Sequence, residues 1–282
     1  MRNSSKSPFV NNSLVTLKDN RWLERQRIAG KIVAASLNQL EGYCKSMTSH
    51  SMATLNDIIE RFIIKEGGYP TFKGYKKTGG PDFPAGVCIS VNKSLVHGIP
   101  DDTVLNDGDV VSFDLGVTYE GAIADSAITC IFGPPADPLH VSLVKATEEA
   151  LMQGINAVAV GKRLGCIGHA INKYTKNKGF GLVNNYGGHG LDWNLPHASP
   201  FVANKSEPTE GIRIQPGLSI AIEPMLTIGD PTTRTLDDGW TVVTSGIGSH
   251  QEHSIFVHED HVEVITWRGN EQAIKDPRIY FK

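Results

Sequence analysis

Asp107–Phe132, DGDVVSFDLGVTYEGAIADSAITCIF, reads as two strands folded about a tight turn. From Asp109 to Val117, Val111, Phe113, Leu115 and Val117 alternate with the residues of a second face. That period of two is the mark of a strand with one apolar side. The segment Ile123–Phe132 continues the sheet after a turn near Glu120-Gly121. Asp114 and Asp125 flank that turn. If residues 119 and 120 form it, the two aspartates are directly opposite. If 120 and 121 form it, they are diagonal neighbours on one face. Either register crowds two carboxylates, and like charges that close repel unless one is protonated or a cation lies between them. A solvated hairpin face is the plainer alternative, since most aspartates are exposed.

Helical signals lie on both sides of this hairpin. Leu23, Ile28, Ile32, Ala35 and Leu40 recur near the helical period between Asn20 and Tyr43. Leu55, Ile58, Ile59, Phe62 and Ile63 form a second stripe, within Leu55–Lys65, that ends at Gly67-Gly68. Tyr69–Gly86 is rich in Gly, Pro and Lys and reads as an irregular loop before a short strand, Val87–Asn92. Asp137-Pro138 supplies a cap and an N1 proline for a helix to Val158, and another helix covers Leu164–Tyr174 and stops near Gly179. Four further strands are expected over Leu218–Met225, Thr241–Ser245, Glu252–His258 and Val262–Trp267. The order of elements predicts an α+β fold, with helices packed over an antiparallel or mixed sheet. Residues 14–282 read as a single domain after a flexible tail, residues 1–13.

The bulk properties exclude several classes. The net charge is -3 over 282 residues, which points away from nucleic acid or an anionic membrane as the main partner. No apolar run is long enough to span a bilayer, and the N-terminus lacks the apolar stretch of a secretory signal. Cys44, Cys88, Cys130 and Cys166 are scattered without a C-x-x-C pair, so a reducing, cytoplasmic setting is expected.

Other chemistry-bearing residues fall on strand-like segments. Glu223 sits in the apolar run Leu218–Met225, on the face of Ser219 and Ala221, where a buried carboxylate needs a partner. Pro224 then interrupts the ladder. Glu252 and His253 open another strand, with Glu252 and Ser254 on one face. Glycines surround His189 in Tyr186-Gly-Gly-His-Gly190, and His97 lies in the turn Val96-His-Gly-Ile-Pro100. A lone histidine is more often structural than a ligand, although neutral imidazole is the commonest metal ligand. Four carboxylates and one or two histidines suit a pair of divalent ions, and with them metal-assisted hydrolysis. The residues by themselves name no substrate.

The segments Val87–Asn92 (VCISVN), His97–Pro100 (HGIP), Asp107–Asp114 (DGDVVSFD), Gly188–Gly190 (GHG), Ile222–Met225 (IEPM) and Gln251–Ser254 (QEHS) together resemble the type I methionine aminopeptidases of family M24. The resemblance runs from about Val15 to Thr266. It implies the pita-bread fold, an antiparallel sheet covered by helices in pseudo-two-fold halves, and removal of the initiator methionine by dinuclear-metal hydrolysis. Carried over, it makes Asp114, Asp125, His189, Glu223 and Glu252 the metal ligands. Asp125 and Glu252 would bridge two ions (Co, Mn, Fe, Zn or Ni). His97 and His197 would contact the scissile peptide, and Glu223 would also be the general base. Phe72, Tyr75, Phe83, Cys88 and Trp240 would line the methionine pocket, ordinary core packing being the plainer reading of the aromatics. The implied partners are nascent polypeptides with a small second residue, met at the ribosome, and the implied state is a monomer of the short bacterial or organellar form. By the same rule Arg2 should leave Met1 in place on this chain.

The chain departs from the family pattern in several places. His197 follows His189 at eight positions rather than seven, Pro196 replaces an aromatic, Asp192 takes the place of a small residue, and Ala124 replaces a glycine. Lys76–Asp82 resembles an insertion in the pocket loop. The extra residue is expected to be absorbed as a bulge or wider turn at Asp192, Trp193 and Asn194, with His197 still aimed at the metals and Leu195 taking the vacated wall position. The rival readings are an Xaa-Pro aminopeptidase of the same fold and a non-catalytic binding module.

Overall fold

The computed structural model describes residues 15–47, 49–77, 79–271 and 276–281. The expected tail, residues 1–13, lies outside them. Two helices come first, α1 (Asn20–Ser46) and α2 (Met52–Lys65). Then follow β1 (Tyr69–Pro70), β2 (Cys88–Val91), β3 (Ser94–Val96) and the long hairpin β4 (Val110–Tyr119) and β5 (Ala122–Ile131). A second helix pair, α3 (Pro138–Ala157) and α4 (Gly165–Thr175), precedes the remaining strands. These are β6 (Gly181–Leu182), β7 (Gly187–Asp192), β8 (Leu195–Ala203), β9 (Ser219–Ile222), β10 (Met225–Thr227), β11 (Arg234–Thr235) and β12 (Val242–Val243). The last are β13 (Gly248–His250), β14 (His253–Val257), β15 (His261–Val264) and β16 (Arg278–Tyr280).

Local chemistry explains the helix ends. The Asp19 carboxylate accepts the Trp22 N–H at 2.9 Å and starts α1, while Asp137 does the same for Leu139 at 2.8 Å in front of Pro138. The buried face of α1 differs from the expected stripe. Leu23, Ile32 and Leu40 of that stripe are buried and Ala35 half-buried, but Ile28 is exposed, and the buried face widens to take in Trp22, Gln26, Ala29, Val33, Leu37 and Cys44. Small residues on that face let the helix approach closely, and a count of large apolar residues does not see them. At Gly30 a Cβ would lie only 2.3 Å from the Ile265 carbonyl oxygen.

The hairpin settles the open register. Tyr119 pairs with Ala122, leaving Glu120 and Gly121 as the turn, both with positive φ of 45° and 85°. Two left-handed residues give the turn whose twist matches the flanking strands. Gly116 therefore pairs with Asp125, and Asp114 is its diagonal neighbour. On the opposite face Val111, Phe113, Leu115 and Val117 pack with α1 and α2 into one buried core. A second core joins α3 and α4 to β9, β14 and β15.

The sheets are antiparallel. One contains β1, β4 and β2 with β5 alongside β4, and a six-stranded sheet runs β16-β15-β14-β9-β7-β8. The expected strand Leu218–Met225 is in fact two. It breaks at Glu223-Pro224, since proline cannot donate to a ladder. Strand β9 stays in the six-stranded sheet and β10 enters another with β13. The partner strands break at the matching place, Gln251-Glu252, where the Gln251 N–H donates to the Pro224 carbonyl. Both glutamates thus sit where paired strands pass from one sheet to another. The hairpin is fastened to this seam by Ser254, whose hydroxyl accepts the Asp125 N–H at 2.8 Å and donates to the Asp125 carbonyl at 2.7 Å.

Candidate metal centre

Five elements deliver the carboxylates and the histidine to one place. Asp114 comes from β4, Asp125 from β5, His189 from β7, Glu223 from the end of β9, and Glu252 from just before β14. His189 can sit between its neighbours because its flanking residues have no side chains. A Cβ on Gly188 would lie 2.1 Å from the Ala221 carbonyl oxygen, and one on Gly190 would lie 2.0 Å from that of Ser199. The glycines therefore serve close packing of β7 between β9 and β8, where the sequence alone allowed a loop near a ligand.

His189 Nε2 lies 3.6 Å from Glu223 Oε1, 3.9 Å from Asp125 Oδ2 and 4.0 Å from Glu252 Oε1. Two triads of donor atoms, each within 4.8 Å, share Glu252: Asp114, Asp125 and Glu252, and His189, Glu223 and Glu252. A third set of that size joins Asp125, His189 and His197. All five residues first named are buried, and Asp114 Oδ1, Asp125 Oδ1 and Glu252 Oε1 have no hydrogen-bond partner among the described residues. Buried carboxylate oxygens without partners are costly. Burial pushes Asp114 well up, with Asp125 adding its charge, and Glu252 is pushed up in the same way. Asp125 is raised to about 6 by burial, against the pull of His189. Burial also acts to raise Glu223, but His250 and His189 outweigh it and hold the group below its ordinary value. Divalent cations fit this donor set, since they would satisfy the orphaned oxygens and cancel the repulsion.

His97 and His197 stand between the carboxylates and an aromatic cluster. The His197 ring is 4.6 Å from His189 and meets Tyr75 edge-on at 4.9 Å, with Phe72 at 6.3 Å. His97 lies edge-on to Trp240 at 6.2 Å and to Tyr186 at 6.1 Å. Burial lowers His97 to about 4, opposed by Glu223, and burial with the nearby His189 and His97 drives His197 well down. Both rings are therefore neutral near pH 7, and each can give one N–H and accept at the other nitrogen. Phe72, Phe83, Ala85, Cys88 and Trp240 form one buried cluster, with Tyr75 and Ile99 packed on it. Cys88 pairs with Asp114 across β2 and β4; burial, and then that carboxylate, push its thiol well up.

The altered loop behaves differently from the expectation. Asp192 pairs with Leu195, so Trp193 and Asn194 make a tight turn rather than a wide one. The register shifts lie further along, between Asp192 and Gly190 and again between Gly190 and His189. The first places two residues, Pro196 and His197, opposite the single Leu191, which is a bulge. Leu195 is 48% exposed at the turn and fills no wall position. Asp192 is held there by Lys18 at 2.9 Å.

Sequence reasoning passed over two neighbours of the site. His250 Nε2 is 3.3 Å from Glu223 Oε2, and the run Gly248-Ser249-His250 offers no apolar alternation that would have marked it. Asn204 donates its side-chain N–H to the Glu223 carbonyl at 3.1 Å and left no signal. A separate group, His258, His261 and Glu263, has donor atoms equally close. There Arg27 already forks both Glu263 oxygens at 2.7 Å, and the two imidazoles are stacked at 4.1 Å and 6°, so their in-plane lone pairs do not converge.

Comparison with known proteins agrees with this arrangement. Metallopeptidase family M24 matches residues 24–259. Methionine aminopeptidase 1 of Bacillus subtilis is 39% identical over 255 residues, which is 90% of this chain and 99% of that protein. The crystal structure of methionine aminopeptidase from Thermotoga maritima superposes with a TM-score of 0.84 at 32% identity, covering 90% of this chain and 99% of the other. An Xaa-Pro dipeptidase from Bacillus anthracis shares the fold at 20% identity, with a TM-score of 0.68 over 94% of this chain and 63% of its own. The antiparallel sheets with their helix pairs are the pita-bread fold, and the chain belongs to the methionine aminopeptidases of metallopeptidase family M24.

Proposed function

We propose that this protein removes the N-terminal methionine from nascent proteins and peptides by hydrolysis at a centre of two divalent ions. The observation that carries the reading is the pair of donor triads sharing Glu252, set beside a buried aromatic cluster with His97 and His197 between them. Asp114, Asp125, His189, Glu223 and Glu252 would hold the ions, with Asp125 and Glu252 common to both. The ions, drawn from Co, Mn, Fe, Zn or Ni, would polarise the scissile carbonyl and lower the pKa of the attacking water.

The protein's own groups supply the rest. Glu223, held below its ordinary value, is ionised at neutral pH and can take the proton of the water. His97 and His197, both neutral, can donate to the carbonyl oxygen as negative charge develops there. Phe72, Tyr75, Phe83, Cys88 and Trp240 would enclose the methionine side chain, and crowding beyond them would favour a small second residue. The reading includes action as a cytoplasmic monomer of one domain, residues 14–282, on chains emerging from the ribosome.

Metal-stripped protein, reloaded with one ion type at a time, should cleave Met-Ala peptides and leave Ala-Pro peptides intact. Preference for Ala-Pro would install the Xaa-Pro reading in its place, and no cleavage with any ion would leave a binding module.

A further inference from the structure

His250 lies on β13 opposite Met225 and is 1% exposed. Its backbone is fixed on both sides by Thr129, whose Oγ1 accepts the His250 N–H at 2.9 Å and whose hydroxyl donates to the His250 carbonyl at 2.7 Å. The ring is buried on this fixed backbone, yet neither of its nitrogens has a hydrogen-bond partner among the described residues. A buried imidazole in that state is a cost unless it serves something.

Its surroundings show what it serves. His250 Nε2 faces Glu223 Oε2 at 3.3 Å and Glu252 Oε2 at 4.0 Å. His189 Nε2 faces the other oxygens, Oε1, of the same two glutamates at 3.6 and 4.0 Å. The carboxylates thus lie between two histidines. His189 belongs to the converging donor sets, and His250 belongs to none of them. We infer that His250 is a positioning residue for the metal centre: its Nε2–H donates to Glu223 Oε2 and so turns Oε1 towards the ion shared with His189. A small rotation of the carboxylate completes the bond from 3.3 Å. Outer partners of this kind fix ligand orientation, and losing one typically costs about 10–100-fold in metal affinity or activity. The inference rests on the two-metal reading above.

The test is titration calorimetry of metal-stripped wild-type, His250→Ala and His250→Gln proteins with Mn2+ and with Co2+, alongside kinetics on a Met-Ala peptide. His250→Ala should weaken one of the two ion sites by about 10–100-fold and lower kcat, with KM changed less than about twofold. His250→Gln carries an amide N–H of similar reach and should recover most of the loss. Wild-type affinity in His250→Ala would overturn the inference. So would a glutamine variant as weak as the alanine one, or a metal-loaded crystal structure with Nε2 bound directly to an ion. If His250→Ala does not fold, a metal-loaded structure of His250→Gln decides, by whether its amide nitrogen lies within hydrogen-bond distance of Glu223 Oε2. Wild-type protein that takes up no ion would overturn the two-metal reading itself and this inference with it, a result distinct from all the others.

Discussion

Glu223→Gln keeps the size of the side chain and one oxygen, and removes the negative charge. If Glu223 is both ligand and base, turnover on Met-Ala peptides should fall about 10²–10⁴-fold with little change in KM, since general-base loss alone is of that order. An unchanged turnover number would take Glu223 out of the mechanism. His97→Ala and His197→Ala test a different role. Each should lower kcat while elemental analysis still finds both ions, and loss of an ion from either would make that histidine a ligand. The third donor set, with His197 close to Asp125 and His189, makes this measurement decisive for His197. The acidic residues were legible in the sequence, because Asp114 and Asp125 flank a turn and Glu223 sits in an apolar run. His250 was not, because Gly248-Ser249-His250 carries no apolar alternation to announce a strand.

Strand spacing sets a second constraint. Gly188→Ala would set a methyl group 2.1 Å from the Ala221 carbonyl oxygen and 3.1 Å from Val202 Cβ, and neither atom is the far end of a flexible side chain that could yield. Overpacking of that kind costs about 1–3 kcal/mol. Urea unfolding of the metal-free variant should show that loss, and the displaced His189 should bind metal more weakly. A midpoint within error of wild type would mean that β7 has slack. Helices α1 to α4 and the hairpin were readable from period, caps and turn residues. Strands β7 and β8 were not, because their glycines and prolines, Pro196 and Pro200 among them, are the residues by which loops are recognised. The break at Pro224 was visible, but the change of sheet that follows depends on β13, far away in sequence. The bulge at Pro196-His197 likewise depends on the register with β7.

For the molecule as a whole, the ions would join residues from both main sheets, so their removal should be felt beyond the site. Exhaustive chelation should abolish peptidase activity, and the thermal midpoint of reloaded protein should rise with metal concentration. Binding to the folded state alone contributes about 2.7 kcal/mol at a hundred times Kd. Full activity after chelation would refute the metal assignment. Acid stability depends on a second place, where Glu271 accepts from His253 at 2.8 Å and pairs with Arg268 at 2.7 Å. Burial acts to raise Glu271, but His253 and Arg268 outweigh it and hold the group at about 2, against an ordinary 4.5. A depressed carboxylate stabilises the fold fully above its unfolded value and loses that contribution as pH falls through the folded value. Between pH 4.5 and 2 the native state should therefore lose up to roughly 3 kcal/mol from this group. Glu271→Gln should be less stable than wild type at pH 7 and converge with it near pH 2, and parallel stability curves would refute the linkage. The hydroxyl of Ser254, bonded to both the N–H and the carbonyl of Asp125, bears on which parts of the molecule can move during turnover. Parting the hairpin from the six-stranded sheet at that point breaks two buried bonds at once. Turnover should then proceed without the hairpin and the six-stranded sheet coming apart, and the Asp125 amide should be among the slowest to exchange with deuterated solvent.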